Sequence, residues 1–317
     1  MPMIDADGCL LNVSVEGRDG GPTLMLSNSL GTTMAMWEPQ MKALTEVFRV
    51  IRYDRRGHGK SGVPPGPYSI ERLGRDGGPT LMLSNSLGTT MAMWEPQMKA
   101  LTQLFRVVRY DRRGHGKSGV PAGPYSMERF GRDVLAILDD LNIEKTHWCG
   151  LSMGGMVGQW LGANAPERFG KLILSNTSCY YPDPTNWLNR IKAVKEGGLA
   201  AVADTVIAAW LTADFREREP QVTQNLKAML LASPPAGYIA CCEALSTLDQ
   251  RALLPKIKSP TLVIAGRHDT STPIAAGELI RSHIPGASMT ILDAAHISNV
   301  EQPHAFTDAV IGFLTQK

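Results

Sequence analysis

The chain has 317 residues, 43% of them hydrophobic, with 32 basic and 30 acidic residues and a formal net charge of +2. That balance gives no electrostatic reason to bind nucleic acid or an anionic membrane surface. No apolar run reaches spanning length, the first residues lack a signal-peptide pattern, and the five cysteines (Cys9, Cys149, Cys179, Cys241, Cys242) form an odd, unpatterned set that fits a reducing cytoplasm. In chain order, strands are expected from Cys9 to Val15, followed by an internal repeat. Residues 18–74 recur as 75–131 with an offset of 57, and 51 of the 57 positions are identical. The differences are Glu46/Gln103, Val47/Leu104, Ile51/Val108, Pro65/Ala122, Ile70/Met127 and Leu73/Phe130. A solenoid would show several diverged repeats, whereas two near-identical copies read as a recent in-frame duplication or as an artefact of how the sequence was assembled.

Each copy reads as strand, loop, helix, strand. In the second copy Thr80–Ser84 is the first strand, Trp94 to Leu104 an amphipathic helix, and Phe105–Tyr110 the second strand, which leads into Asp111-Arg112-Arg113-Gly114-His115-Gly116. A helix follows from about Ser126 to Leu141. Only one copy can fill the central sheet. The second is favoured because it runs unbroken into the next strand, which leaves the first as an insertion whose strands need an edge to pair with.

Gly150-Leu151-Ser152-Met153-Gly154-Gly155 fits the G-x-S-x-G turn in which a serine sits between a strand and a helix. The flanks agree: Lys145–Cys149 is rich in strand formers, and Met156–Ala163 reads as a helix. The partners that a weak hydroxyl nucleophile needs follow in order. The buried strand Pro260–Gly266 leads to Asp269, and the strand Ser288–Leu292 leads to His296, so all three residues lie beyond strand carboxyl ends. His268 and Asp293 are the rivals for base and acid. His268 shares a turn with Asp269, and Asp293 shares a loop with His296. His58, His115, His147 and His304 read as structural or surface residues. No His, Cys and carboxylate cluster has metal-ligand spacing, and no glycine fingerprint for a nucleotide is present, so neither metal nor cofactor is expected.

Residues 180–251 form a helical insertion, with helix-like runs at Trp187–Lys195, Leu199–Leu211 and Gln221–Leu231. It reads as a cap on a core of residues 1–179 and 252–317. Trp187, Arg190, Trp210 and Arg216 are its candidate pocket residues.

The stretches Ser-Asn-Ser-Leu-Gly-Thr-Thr, Tyr-Asp-Arg-Arg-Gly-His-Gly-Lys-Ser, Gly-Leu-Ser-Met-Gly-Gly, Ala-Gly-Arg-His-Asp and Ala-Ala-His-Ile-Ser-Asn together resemble the 3-oxoadipate enol-lactonase branch of the α/β-hydrolases. The resemblance implies an α/β-hydrolase fold: a mostly parallel central sheet with helices on both faces and a helical cap. It implies a cofactor-free serine hydrolase that opens a small-molecule lactone in aromatic catabolism, with Ser152, Asp269 and His296 as its triad. The oxyanion donors would be the N–H groups of Met153 and of Leu87, or Leu30 if the first copy is used. Asn85, Ser86, Trp187 and Arg190 would meet substrate, an arginine clamping its carboxylate. Perhydrolase or general carboxylesterase activity, and a non-catalytic ligand-binding protein, stay open. A homo-oligomer is compatible with the sequence, whereas nucleic-acid and membrane partners are not expected.

Overall fold

The computed structural model describes residues 3–5, 10–28, 33–54, 68–75 and 77–316. It divides into two units, one up to residue 67 and one from residue 68 onward. Leu30, His58 and Cys9 lie outside the described residues.

The first unit contains β1 (Met3–Asp5), β2 (Leu10–Gly17), β3 (Thr23–Leu26), α1 (Glu38–Val47) and β4 (Arg49–Tyr53). The sheet order is β1-β2-β4-β3, with β2 antiparallel to both its neighbours and β3 parallel to β4. Leu26, Met41 and Val50 form its buried core, with Leu24, Trp37, Leu44 and Phe48 packed around them. β3 ends the sheet, and Met25 on it is 63% exposed.

The second unit opens with β5 (Ile70–Gly74), the last five residues of the first copy. The second copy then supplies β6 (Thr80–Ser84), a 3-10 turn at Met91–Trp94, α2 (Glu95–Leu104) and β7 (Arg106–Tyr110). Next come α3 (Met127–Asp140), β8 (Thr146–Leu151), α4 (Met153–Asn164) and β9 (Phe169–Ser175). Five helices make the cap: α5 (Thr185–Gly197), α6 (Ala200–Trp210), α7 (Ala213–Arg218), α8 (Pro220–Leu231) and α9 (Pro235–Ser246). The chain closes with β10 (Thr261–Gly266), α10 (Ile274–His283), β11 (Ser288–Leu292), α11 (Ser298–Glu301) and α12 (Pro303–Thr315).

The seven-stranded sheet runs β11-β10-β9-β8-β6-β7-β5 and is parallel except for β5, which pairs antiparallel with β7. Helices on both faces explain why every residue of β6 and β10 is buried rather than every second one. Strand order reverses between β6 and β8. Two crossover loops part there and leave a crevice at the carboxyl ends, where open α/β sheets bind ligands.

Ile70-Glu-Arg-Leu-Gly74 is a strand, whereas the matching Met127-Glu-Arg-Phe-Gly131 is the first turn of α3. Ser126 caps that helix, its Oγ accepting from the N–H of Arg129. Partner strands, not local propensity, decide the conformation of β5. Gly17 and Gly74 sit at the same place in their respective sheets, at φ of 101° and 97°. A Cβ would come within 2.3 Å of the Phe48 carbonyl oxygen at Gly17, and within 2.4 Å of the Phe105 carbonyl oxygen at Gly74. Both turns therefore require glycine.

Candidate active site

Ser152 stands between β8 and α4 with φ 57° and ψ −116°, a conformation that side-chain-bearing residues rarely adopt. The surroundings over-determine it. Its N–H donates to the Ser175 carbonyl at 2.8 Å, and its carbonyl accepts from the Met156 N–H at 3.1 Å and the Thr177 hydroxyl at 2.7 Å. The turn is tight because backbones nearly touch: a Cβ on Gly154 would lie 2.2 Å from the Ser84 carbonyl oxygen. As the first residue of α4, Met153 has no helical acceptor for its N–H, and the helix N-terminus favours negative charge.

Asp269 follows β10 and His296 follows β11, and both are buried. His296 Nδ1 lies 2.8 Å from Asp269 Oδ2. The same carboxylate accepts from Thr272 Oγ1 at 2.7 Å, Asn176 Nδ2 at 3.0 Å, and the N–H groups of Ser271 and Thr272 at 2.8 and 2.9 Å. Burial works against its charge, but the His296 imidazole and these donors outweigh it and hold Asp269 below the ordinary carboxylate range. Asp269 is thus an anion fixed against one face of His296, the arrangement that orients a neutral imidazole and stabilises its protonated form.

The rivals are engaged elsewhere. His268 Nε2 lies 2.9 Å from Asp293 in an exposed pair, and His147 Nδ1 accepts the Lys171 N–H at 3.1 Å. His304 is exposed.

Ser152 and His296 line one cavity of about 520 Å³. Ser86 and Leu87 from the loop after β6 line it, as do Trp187, Arg190, Trp210 and Tyr238 from the cap. Arg190 is the one arginine or lysine among the described lining residues, and its guanidinium stacks 5.0 Å from the Trp187 ring. Arg216 does not line the cavity. Nor does Asn85, for a physical reason: its side chain is used up inside, Oδ1 accepting from Trp94 Nε1 at 3.0 Å and Nδ2 donating to the Tyr110 carbonyl at 3.1 Å. It braces the loop rather than facing a ligand.

Asn176, Thr272 and Glu301 are site residues that the sequence reading missed. Asn176 also donates to the Ala295 carbonyl at 3.1 Å, and Glu301 accepts the Ala295 N–H at 2.8 Å, so both backbone polar groups of the residue before His296 are held. Asn176 carried one usable signal, its place just past the carboxyl end of a central strand. Among the described residues no group of three or more His, Cys, Asp or Glu could hold a metal ion, and no single helix is long and apolar enough to cross a membrane.

Residues 79–303 match the α/β-hydrolase fold family, and the chain belongs to it. Within that class it is similar to 3-oxoadipate enol-lactonase 2 of Acinetobacter baylyi, 43% identical over 73% of this chain and 87% of the relative. It is 39% identical to 3-oxoadipate enol-lactonase 1 of the same organism, over 78% of this chain and 92% of the relative. The crystal structure of the enol-lactonase from Burkholderia xenovorans LB400 superimposes with a TM-score of 0.78 at 42% identity, covering 79% of this chain and 97% of that one.

Proposed function

We propose that the protein is a serine hydrolase that opens 3-oxoadipate enol-lactone to 3-oxoadipate. The observation that carries this is the shared cavity. Ser152 and His296 line it together, His296 is bonded to a buried anionic Asp269, and a cap arginine faces the same space. The relatives' names supply the substrate.

Ser152 Oγ attacks the lactone carbonyl carbon while His296 takes its proton. The carbonyl oxygen becomes an oxyanion beside the N–H groups of Met153 and Leu87. Collapse of the tetrahedral intermediate breaks the bond to the ring oxygen, which leaves as an enolate, a better leaving group than an alkoxide. The proton on His296 returns to the leaving group. Water activated by His296 then cleaves the acyl-enzyme, and the released enol tautomerises to the ketone. Arg190 pairs with the substrate's free carboxylate, and Trp187 supports the guanidinium plane.

The test follows loss of the enol-lactone's ultraviolet absorbance with the parent, Ser152→Ala and Arg190→Met. Ser152→Ala should lower kcat by about 10⁴-fold or more. Arg190→Met should raise KM for the lactone while sparing a simple aryl acetate, which has no carboxylate. A folded parent that cleaves aryl esters through Ser152 but leaves the lactone intact would replace this reading with a general carboxylesterase.

A further inference from the structure

His115 lies in the loop after β7 and does not line the cavity, yet it holds the segment that carries Leu87. The ring is fully buried. Its Nε2 accepts the Gly88 N–H at 2.9 Å, and its Nδ1 faces the Arg113 carbonyl at 3.4 Å, so the ring sits between one backbone donor and one backbone acceptor. That pattern suits a neutral imidazole with its proton on Nδ1. Burial, and next the positive charge of Arg112, push its pKa down to about 3, so the Nε2 lone pair stays available throughout the neutral range.

The loop that presents the ring is itself rigid. The Asp111 carboxylate accepts the Met91 N–H at 2.8 Å and the Lys117 N–H at 3.1 Å. Ser118 Oγ donates to the Asp111 carbonyl at 2.6 Å, and the His115 and Ser118 N–H groups close successive turns at 3.1 and 3.0 Å. Arg112 is buried and donates through Nη2 to the Asn85 carbonyl, which also accepts the Gly154 N–H at 3.1 Å.

Planarity turns these contacts into a clamp on Leu87. In a trans peptide the N–H and the preceding C=O point opposite ways. The Ser86 carbonyl accepts from Thr89 Oγ1 at 2.9 Å and from the Thr89 N–H at 3.4 Å, which fixes the direction of the Leu87 N–H. The Gly88 N–H is fixed by His115, which sets the peptide on the other side of Leu87. Rotating either plane breaks hydrogen bonds buried away from water, each costly to lose.

We propose that His115 is a positioning residue for hydrolysis: by accepting the Gly88 N–H it locks the loop so that the Leu87 N–H meets the oxyanion at the cavity wall. The inference rests on the reading of Leu87 as an oxyanion donor. A preorganised donor contributes mainly when charge develops, so its loss appears in kcat rather than in substrate affinity.

The experiment compares the full-length parent with His115→Leu and His115→Gln on the enol-lactone and on p-nitrophenyl acetate, with melting temperatures and rates of Ser152 labelling by a fluorophosphonate. Leucine fills the volume without an acceptor, whereas the glutamine Oε1 can take the Gly88 N–H. The expected result is a kcat lowered about tenfold to a hundredfold by leucine with KM nearly unchanged, and largely restored by glutamine. A folded leucine variant with parental kcat would overturn the proposal. So would a folded glutamine variant no faster than the leucine one, or one that fails to recover if leucine does not fold. A parent whose Ser152 is neither labelled nor needed for turnover would instead overturn the reading of the site, and this inference with it.

Discussion

The two copies of the duplicated segment make nearly the same hydrogen bonds and have very different interiors. In the first copy Trp37 donates to Asn28 at 3.2 Å, Asn28 to the Tyr53 carbonyl at 2.8 Å, and the Met34 N–H to Asp54 at 2.7 Å. In the second the same bonds join Trp94, Asn85, Tyr110, Met91 and Asp111 at 3.0, 3.1 and 2.8 Å. Arg52 bridges Glu16 and Glu38 as Arg109 bridges Glu71 and Glu95. Burial separates the copies. Met25 is 63% exposed and its counterpart Met82 is fully buried, because β3 ends its sheet while β6 lies between β7 and β8. Local bonding follows the sequence wherever it is placed. The apolar interior comes from neighbours, and the second copy has β8 and α4 packed against β6.

The sharpest way to break this comparison is a charge at paired positions. Met82→Asp should prevent folding of the second unit, since an unpaired carboxylate in its core costs more than about 4 kcal/mol, whereas Met25→Asp should change the unfolding free energy by less than about 0.5 kcal/mol. Circular dichroism in a urea series reads both. Next in size, Trp94→Ala should cost about 3–5 kcal/mol, because it empties a fully buried site that also donates to Asn85. The same change at the partly exposed Trp37, against a core of Leu26, Met41 and Val50, should cost clearly less. Equal losses would mean the first copy is packed as tightly as the second.

A smaller effect concerns pH. His115 binds its proton only near pH 3 when folded and near its ordinary value of 6.5 when unfolded. Between those values the unfolded chain holds more protons, so stability falls as pH falls through that window. His115→Gln removes this contribution, and its melting temperature should decline less steeply on acidification than the parent's. Parallel curves would show that the ring takes up its proton as readily in the native protein as in the unfolded chain.

The smallest effect is expected from deletion. Removing residues 18–74 or residues 75–131 leaves chains of equal length that differ at six positions. Both should keep Ser152-dependent turnover. The second should be slightly less stable, by about 1 kcal/mol, because Leu73 would stand where Phe130 packs in the core.

The placing of Ser152, Asp269 and His296 at strand ends was legible because it is written in local patterns. A serine between glycines joins a strand to a helix, and an Asp and a His each follow an apolar strand. Much of the sheet was legible for the same reason, with Thr80–Ser84 and Ser288–Leu292 marked by unbroken apolar or β-branched runs. What escaped depends on residues far apart in the chain. Asn176 reaches Asp269 across 93 positions, and nothing near Asn176 announces that contact. The clamp from His115 to Gly88 likewise spans 27 positions, with a helix and a strand between its ends. β5 was hidden differently, since its sequence equally suits the first turn of a helix. Pro235–Ser246, a cap helix with apolar residues on every side, offered no periodicity to read.

Gly74 also bears on how a chain survives the copying of a segment. Its counterpart Gly131 is a glycine for another reason, the close passage of the Trp160 ring, where a Cβ would lie 2.0 Å away. Repeating the segment puts that residue at the junction, where the backbone must bend with a positive φ. A steric requirement of helix packing thus provides the hinge for a new sheet edge. Val13–Gly17 pairs antiparallel with Arg49–Tyr53 just as Ile70–Gly74 pairs antiparallel with Arg106–Tyr110, so the glycine-ended strand recurs beside each copy's second strand.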